Sequence, residues 1–180
     1  MPDFLIEEKK NYGMDCRNAI WASDEIHKVY HECKLPDILC DADFIIETVD
    51  SILLVEYKNA NVPEAREHVT EDNEYNPFQQ DKCNKIVSKY YDSLHYLRLL
   101  GKEKPIHYIF VLEYPKGDPA SRKMLRNRLK ERLPFKLQEL AGTGIKLIDS
   151  VNVVNINEWN DDTTYGQFPI KPISQLGTSS

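Results

Sequence analysis

"DFIIETVDSILLVEYKN", Asp43 to Asn59, is the stretch on which the reading of this chain turns. Two apolar runs flank a short polar turn, which predicts a β-hairpin built for a core. Yet Asp43 opens the first strand, and Glu56 and Lys58 close the second. Strand side chains alternate between faces. Ile52, Leu54, Glu56 and Lys58 therefore share one face, and Asp43, Ile45 and Glu47 share one face of the partner strand. A two-residue loop at Val49-Asp50 pairs Thr48 with Ser51, and the same register extended places Asp43 opposite Glu56. A four-residue loop from Thr48 to Ser51 gives that register too. A slip of two sets Asp43 opposite Lys58, still on the same face.

Cross-strand neighbours have Cβ atoms about 4.5–5.5 Å apart. Two carboxylates so close repel, so one takes a proton or a cation sits between them. Acidic oxygens suit a hard cation such as Mg²⁺ or Mn²⁺, with the Tyr57 carbonyl as a third oxygen donor. Such a cation activates water and polarises a phosphoryl oxygen. The Lys58 ammonium reaches the same space, where it would orient that water or stabilise charge developing on a phosphate. The plainer alternative is a surface ion pair at a strand end, which contributes little.

These residues resemble the PD-(D/E)xK, or restriction-endonuclease-like, nuclease superfamily: an Asp entering a hairpin, then Glu56-Tyr57-Lys58 closing its apolar second strand. The element order over Cys16 to Tyr114 resembles that family's core as well. The resemblance implies a mixed β-sheet flanked by helices. It also implies a metal-dependent phosphodiesterase acting on DNA, less so on RNA, with Asp43 and Glu56 on the metal and Lys58 assisting the water. Asp37, which follows Pro36, and Asp41 remain rivals for the first ligand. The family often adds an acid from the first helix; Glu25 or Glu32 would serve, with Glu25 preferred. A polar residue on the helix after E-x-K is common, and Gln79 holds that place, unless it is only a capping side chain. A catalytically silent member that binds nucleic acid or a protein is the alternative, and a subunit of a larger defence or repair complex a third. Whether the chain forms a homodimer is left open.

Outward from the hairpin, Ile26, Val29, Tyr30 and Cys33 recur at helical spacing, which predicts a helix over about Cys16 to Lys34. "NANVPEAREHVTEDNEYN" is polar and reads as a loop or short helix. Asn76-Pro77 then starts a helix that Gly101 ends. "PIHYIFVLEY" is a buried strand, in which His107 is expected to be hydrogen-bonded. Asp118 caps a helix that Pro134 stops, and "FKLQELAG" reads as a further turn or two of helix. "IKLID" and "VNVVNIN" read as late strands. The division expected is a single domain over 1–160 and an irregular tail over 161–180.

The composition is that of a globular domain: 180 residues, 41% hydrophobic and 29% charged. The N-terminus carries charges where a signal peptide would be apolar, and no run nears the ~18 apolar residues of a membrane span. Four cysteines without a C-x-x-C pair suggest reduced thiols and a cytoplasmic protein. His27, His31 and Cys33 lack the matching pair a zinc site needs. The net charge of −6 argues against a general nucleic-acid coat, but Arg122 to Lys136 holds seven basic residues and one acid. Arg122, Arg126 and Lys130 are expected to point outward from that helix and meet phosphates. Lys82, in a ridge with Lys85 and Lys89, is a further backbone contact; the alternative in both cases is a solvated helix face.

Overall fold

The structure, a computed structural model, describes residues 1–61 and 75–177. Strands β1 (Phe4–Ile6), β2 (Tyr12–Asp15) and β3 (Trp21–Ser23) precede helix α1 (Ile26–Glu32). The hairpin of β4 (Phe44–Glu47) and β5 (Ile52–Asn59) leads to the long helix α2 (Gln80–Leu99) and strand β6 (Ile106–Glu113). Helices α3 (Pro119–Lys130) and α4 (Phe135–Ala141), strand β7 (Ser150–Val154), helix α5 (Ile156–Asp161) and strand β8 (Ile170–Pro172) complete the chain.

A mixed sheet in the order β3-β4-β5-β6-β7 forms the centre. Its first three strands are antiparallel, while β5, β6 and β7 run parallel. The hairpin takes the expected register, with Phe44 opposite Val55 and Glu47 opposite Ile52. Both faces of β4 and β5 are buried, which is why the hairpin reads as nearly continuous apolar sequence. Ile45, Ile52, Leu54, Tyr108 and Phe110 pack beneath α1, α2 and α3. Phe44, Ile46, Leu53, Val55 and Val111 face the other way, onto Leu5, Met14, Trp159 and Phe168. Each fully buried aliphatic side chain contributes about 1.5–3 kcal/mol by leaving water. A small sheet, β1-β2-β8, covers that second face.

Helix α2 begins after an Asx turn in which Asn76 Oδ1 accepts the Phe78 N–H at 2.9 Å. It ends where Gly101, at φ +68°, lets the Gly101 and Lys102 N–H groups turn back to the carbonyls of Arg98 and Leu97. Asp118 caps α3 by accepting the Ser121 N–H at 2.6 Å. His107 is hydrogen-bonded through Nδ1 to Ser150 Oγ, 2.8 Å away. No helix among the described residues is long and apolar enough to cross a membrane.

Three expectations are corrected. The helix over Cys16 to Lys34 is confined to Ile26–Glu32, because Trp21–Ser23 pairs with β4 as an edge strand. "IKLID" is not a strand: Gln138 Oε1 accepts the N–H groups of Leu147 and Ile148, and its Nε2 donates to the Ile148 carbonyl. The stretch after Asp161 is not an irregular tail. Ile170–Pro172 pairs with β2, and Phe168 and Ile170 are buried. The acidic stretch 62–74 lies outside the described residues.

At the turn end of the hairpin, Glu47 is buried and bonded to Lys102 and to Lys104, the latter at 2.9 Å. Hydrogen bonds from Lys102 and Lys104 hold its carboxyl below the ordinary glutamate value. A depressed carboxyl contributes stability above its unfolded value, and that contribution is lost as pH falls through the folded value. Urea denaturation should therefore show stability falling below about pH 4.5. Glu47→Gln should remove part of that slope and cost about 1–2 kcal/mol at pH 7. An unchanged acid limb would assign the loss to other carboxyls.

Candidate functional site

Asp43, Glu56 and Lys89 meet on the helical face of the central sheet, each from a different element. The register that pairs Phe44 with Val55 carries Asp43 opposite Glu56. Asp43 Oδ2 accepts the Tyr57 N–H at 2.7 Å, so a side chain continues the ladder where β4 has yet to begin. Helix α2 holds the approach to Asp43. Asp92 accepts the Cys40 N–H at 2.8 Å, and Ser93 Oγ accepts the Ala42 N–H at 2.9 Å. Lys89 lies one turn before Ser93 on the same side of the helix. Its ammonium lands between the two acids, 2.8 and 2.7 Å from the Glu56 oxygens and 3.5 Å from Asp43 Oδ1.

The cluster is largely dry. Side-chain exposure is 10% for Glu56, 16% for Lys89 and 34% for Asp43. Burial pushes the Glu56 carboxyl up to about 8, and the Asp43 charge adds to the rise against the pull of Lys89. Burial also raises Asp43, opposed by Lys89 and the Tyr57 N–H. Burial alone would lower the Lys89 ammonium, but Glu56 and Asp43 hold it above its usual value. With both acids ionised, the three groups carry one uncompensated negative charge, a cost in a low-dielectric site.

The oxygen donors of the cluster are of the kind that suits a hard cation. Oxygens of Asp43 and Glu56 converge on one positive centre, the Lys89 ammonium. The Tyr57 carbonyl projects to the same sheet edge as its N–H, toward Asp43, as the two groups of a strand residue do. Two carboxylates, one carbonyl and water match the incomplete protein shell that Mg²⁺ usually accepts. Among the described residues no group of three or more His, Cys, Asp or Glu side chains gathers as a metal site. The His27 and His31 rings sit edge to face at 4.5 Å.

The other expected residues are dispersed. Lys58 shares the Glu56 face, but its ammonium lies over the Tyr75 ring, 5.6 Å from the centroid. Asp41 binds His27 Nδ1 at 3.2 Å, and its charge adds to the rise of both acids. Asp37 is exposed. Glu25 is exposed at the N-cap of α1 beside Tyr96, two turns beyond Lys89, and Glu32 pairs with Lys28. Gln79 is exposed at the N-cap of α2 and makes no capping bond. It precedes Lys89 by about 15 Å of helix. Lys82 pairs with Asp81 at 3.5 Å.

Arg122 requires correction, because it is buried rather than outward. Its guanidinium donates to the Gly117 carbonyl and to Glu158. Helix α3 starts at the carboxyl edge of the parallel strands, where Glu56 also lies, and runs away from it. Arg126 and Lys130 thus lie about 6 and 12 Å farther along its axis than Arg122. Lys130 rests over the Phe135 ring at 5.2 Å.

Lys89 was legible only as one of three ridge lysines. The signal was Ser93, a small polar residue on the flank of the apolar stripe, one turn after it. No protein-family model matches the chain, no curated protein is similar to it, and no solved structure matches its fold.

Proposed function

We propose that this protein is a divalent-metal-dependent phosphodiesterase of the restriction-endonuclease-like kind, acting on nucleic acid and on DNA before RNA. The observation that supports it most is the meeting of oxygens of Asp43 and Glu56 on one cationic point. Asp43 and Glu56 would hold Mg²⁺ or Mn²⁺, with the Tyr57 carbonyl beside them. The bound cation would supply water activation and polarisation of the phosphoryl oxygen. Lys58, at the open rim, would position the attacking water once lifted from Tyr75. Lys89 would balance negative charge on the phosphate as it builds. Arg126, Lys130 and Lys82 remain as contacts to the polyanion backbone; Arg122 instead fixes α3 to α5.

A second reading has its own observation. The Lys89 ammonium already bonds both oxygens of Glu56, so the cluster also suits a silent module in which lysine has replaced the metal. Calorimetric titration with Mn²⁺ separates the two. The wild type should bind at millimolar metal or below, and Asp43→Asn should bind at least about tenfold more weakly. Mg²⁺-dependent cleavage of DNA should fall with it. No binding at millimolar Mn²⁺ would leave the module reading.

A further inference from the structure

We propose that the cleft between the β1–β2 turn and the end of β5 takes one unpaired nucleobase from the strand whose phosphate lies at Asp43 and Glu56. This rests on the phosphodiesterase reading and names its substrate as single-stranded or frayed nucleic acid. The cleft is lined by Glu7, Glu8, Lys9, Asn11, Tyr12, Asp43, Tyr57, Lys58 and Asn59. Asp43 is thus shared between the acid pair and the cleft, which sets the ligand there one nucleotide or less from the phosphate.

The cleft's own chemistry selects a base over a second phosphate. Its lining carries three carboxylates against two ammoniums, so a further anion is repelled. One carboxylate is structural. Glu7 Oε1 accepts the N–H groups of Asn11 and Tyr12, and Oε2 accepts that of Lys9 at 2.8 Å. Those bonds, with Lys10 at φ +57°, make the turn a rigid wall. The half-buried rings of Tyr12 and Tyr57 stand 6.4 Å apart, tilted by 43°, and both line the cleft. Base stacking on such rings is strong and tolerant of sequence. The amides of Asn11 and Asn59 offer the donors and acceptors that read a base edge. Asn59 is held by its contacts to Tyr57 Oη and the Asn61 N–H. A paired base keeps its edge on its partner, so the cleft favours a base out of the helix.

The test uses labelled oligothymidylate, a duplex of equal length, and thymidine alone. In EDTA, fluorescence anisotropy should show tighter binding of the single strand than of the duplex. Tyr12→Leu and Asn11→Ala should each weaken single-strand binding about tenfold, while Tyr12→Phe stays within about twofold. Thymidine should shift the NMR amide signals of Lys9, Tyr12 and Asn59. Equal binding of duplex and single strand, or no shift with thymidine, overturns the cleft proposal even if Mn²⁺ binds at Asp43 and Glu56. Thymidine binding in the cleft without Mn²⁺ binding upholds the cleft and removes the phosphodiesterase reading instead.

Discussion

Lys89→Met should destabilise the protein by about 3–5 kcal/mol at pH 8, and millimolar Mn²⁺ should restore much of the loss. The ammonium touches both acids, and methionine fills its volume without its charge. Asp43 and Glu56 then stand buried side by side with no cation, and the uncompensated charge costs more than the pair was worth. Glu56, held at about 8, is already largely protonated below that pH, so lowering the pH relieves the cost through Asp43, whose carboxyl rises further once Lys89 no longer opposes its burial, and the penalty should shrink toward pH 5. A cation placed between the acids relieves it too. A ligand at a hundredfold its Kd stabilises by about 2.7 kcal/mol. The gain should be larger in the variant than in the wild type, where the ammonium must first be displaced. Urea denaturation at pH 8 and pH 5, with and without Mn²⁺, measures all of this. A penalty that ignores both pH and metal would mean that Lys89 matters for packing alone.

The hairpin was legible because two constraints agree in it: the apolar alternation sets the faces, and the short turn sets the register. Asp43 opposite Glu56 follows from those two alone, and neighbouring elements only complete the cluster. Lys89 was hidden because its role depends on how α2 is rotated over the sheet. That rotation is fixed by Ser93 and Asp92 reaching the backbone of 40–42, contacts about fifty residues apart in sequence. Lys58 misled for the converse reason. The shared face is right, but a long side chain can leave the acids for the Tyr75 ring. Strands β1, β3 and β8 have three residues each, too few for a period to show, and pairing rather than propensity makes them strands. Arg122 follows the same logic. On the helix surface it looks solvated, until α5 brings Glu158 beside it.

Glu56→Gln should sharply reduce metal-dependent cleavage and, at alkaline pH, make the protein more stable. Both effects come from one fact: the fold holds this carboxyl at about 8, against 4.5 for an ordinary glutamate. A raised acid contributes fully below its unfolded value, and the contribution is lost as pH climbs through the folded value. The wild type should therefore lose stability from about pH 5 to pH 9 through this group. Glutamine does not titrate and keeps an oxygen for the Lys89 ammonium, which then faces Asp43 alone. The two proteins should be within about 1 kcal/mol at pH 5, and the variant ahead by roughly 2–4 kcal/mol at pH 9. Cleavage should fall about 10²–10³-fold, because a neutral amide is a poorer ligand for a hard cation and leaves less charge to hold it. A variant less stable than the wild type at every pH would show Glu56 ionised in an ordinary ion pair with Lys89, and its carboxyl would then not be raised. A variant stabilised at pH 9 that still cleaves at the wild-type rate would place the chemistry elsewhere, with Glu56 a buried acid whose cost serves no reaction.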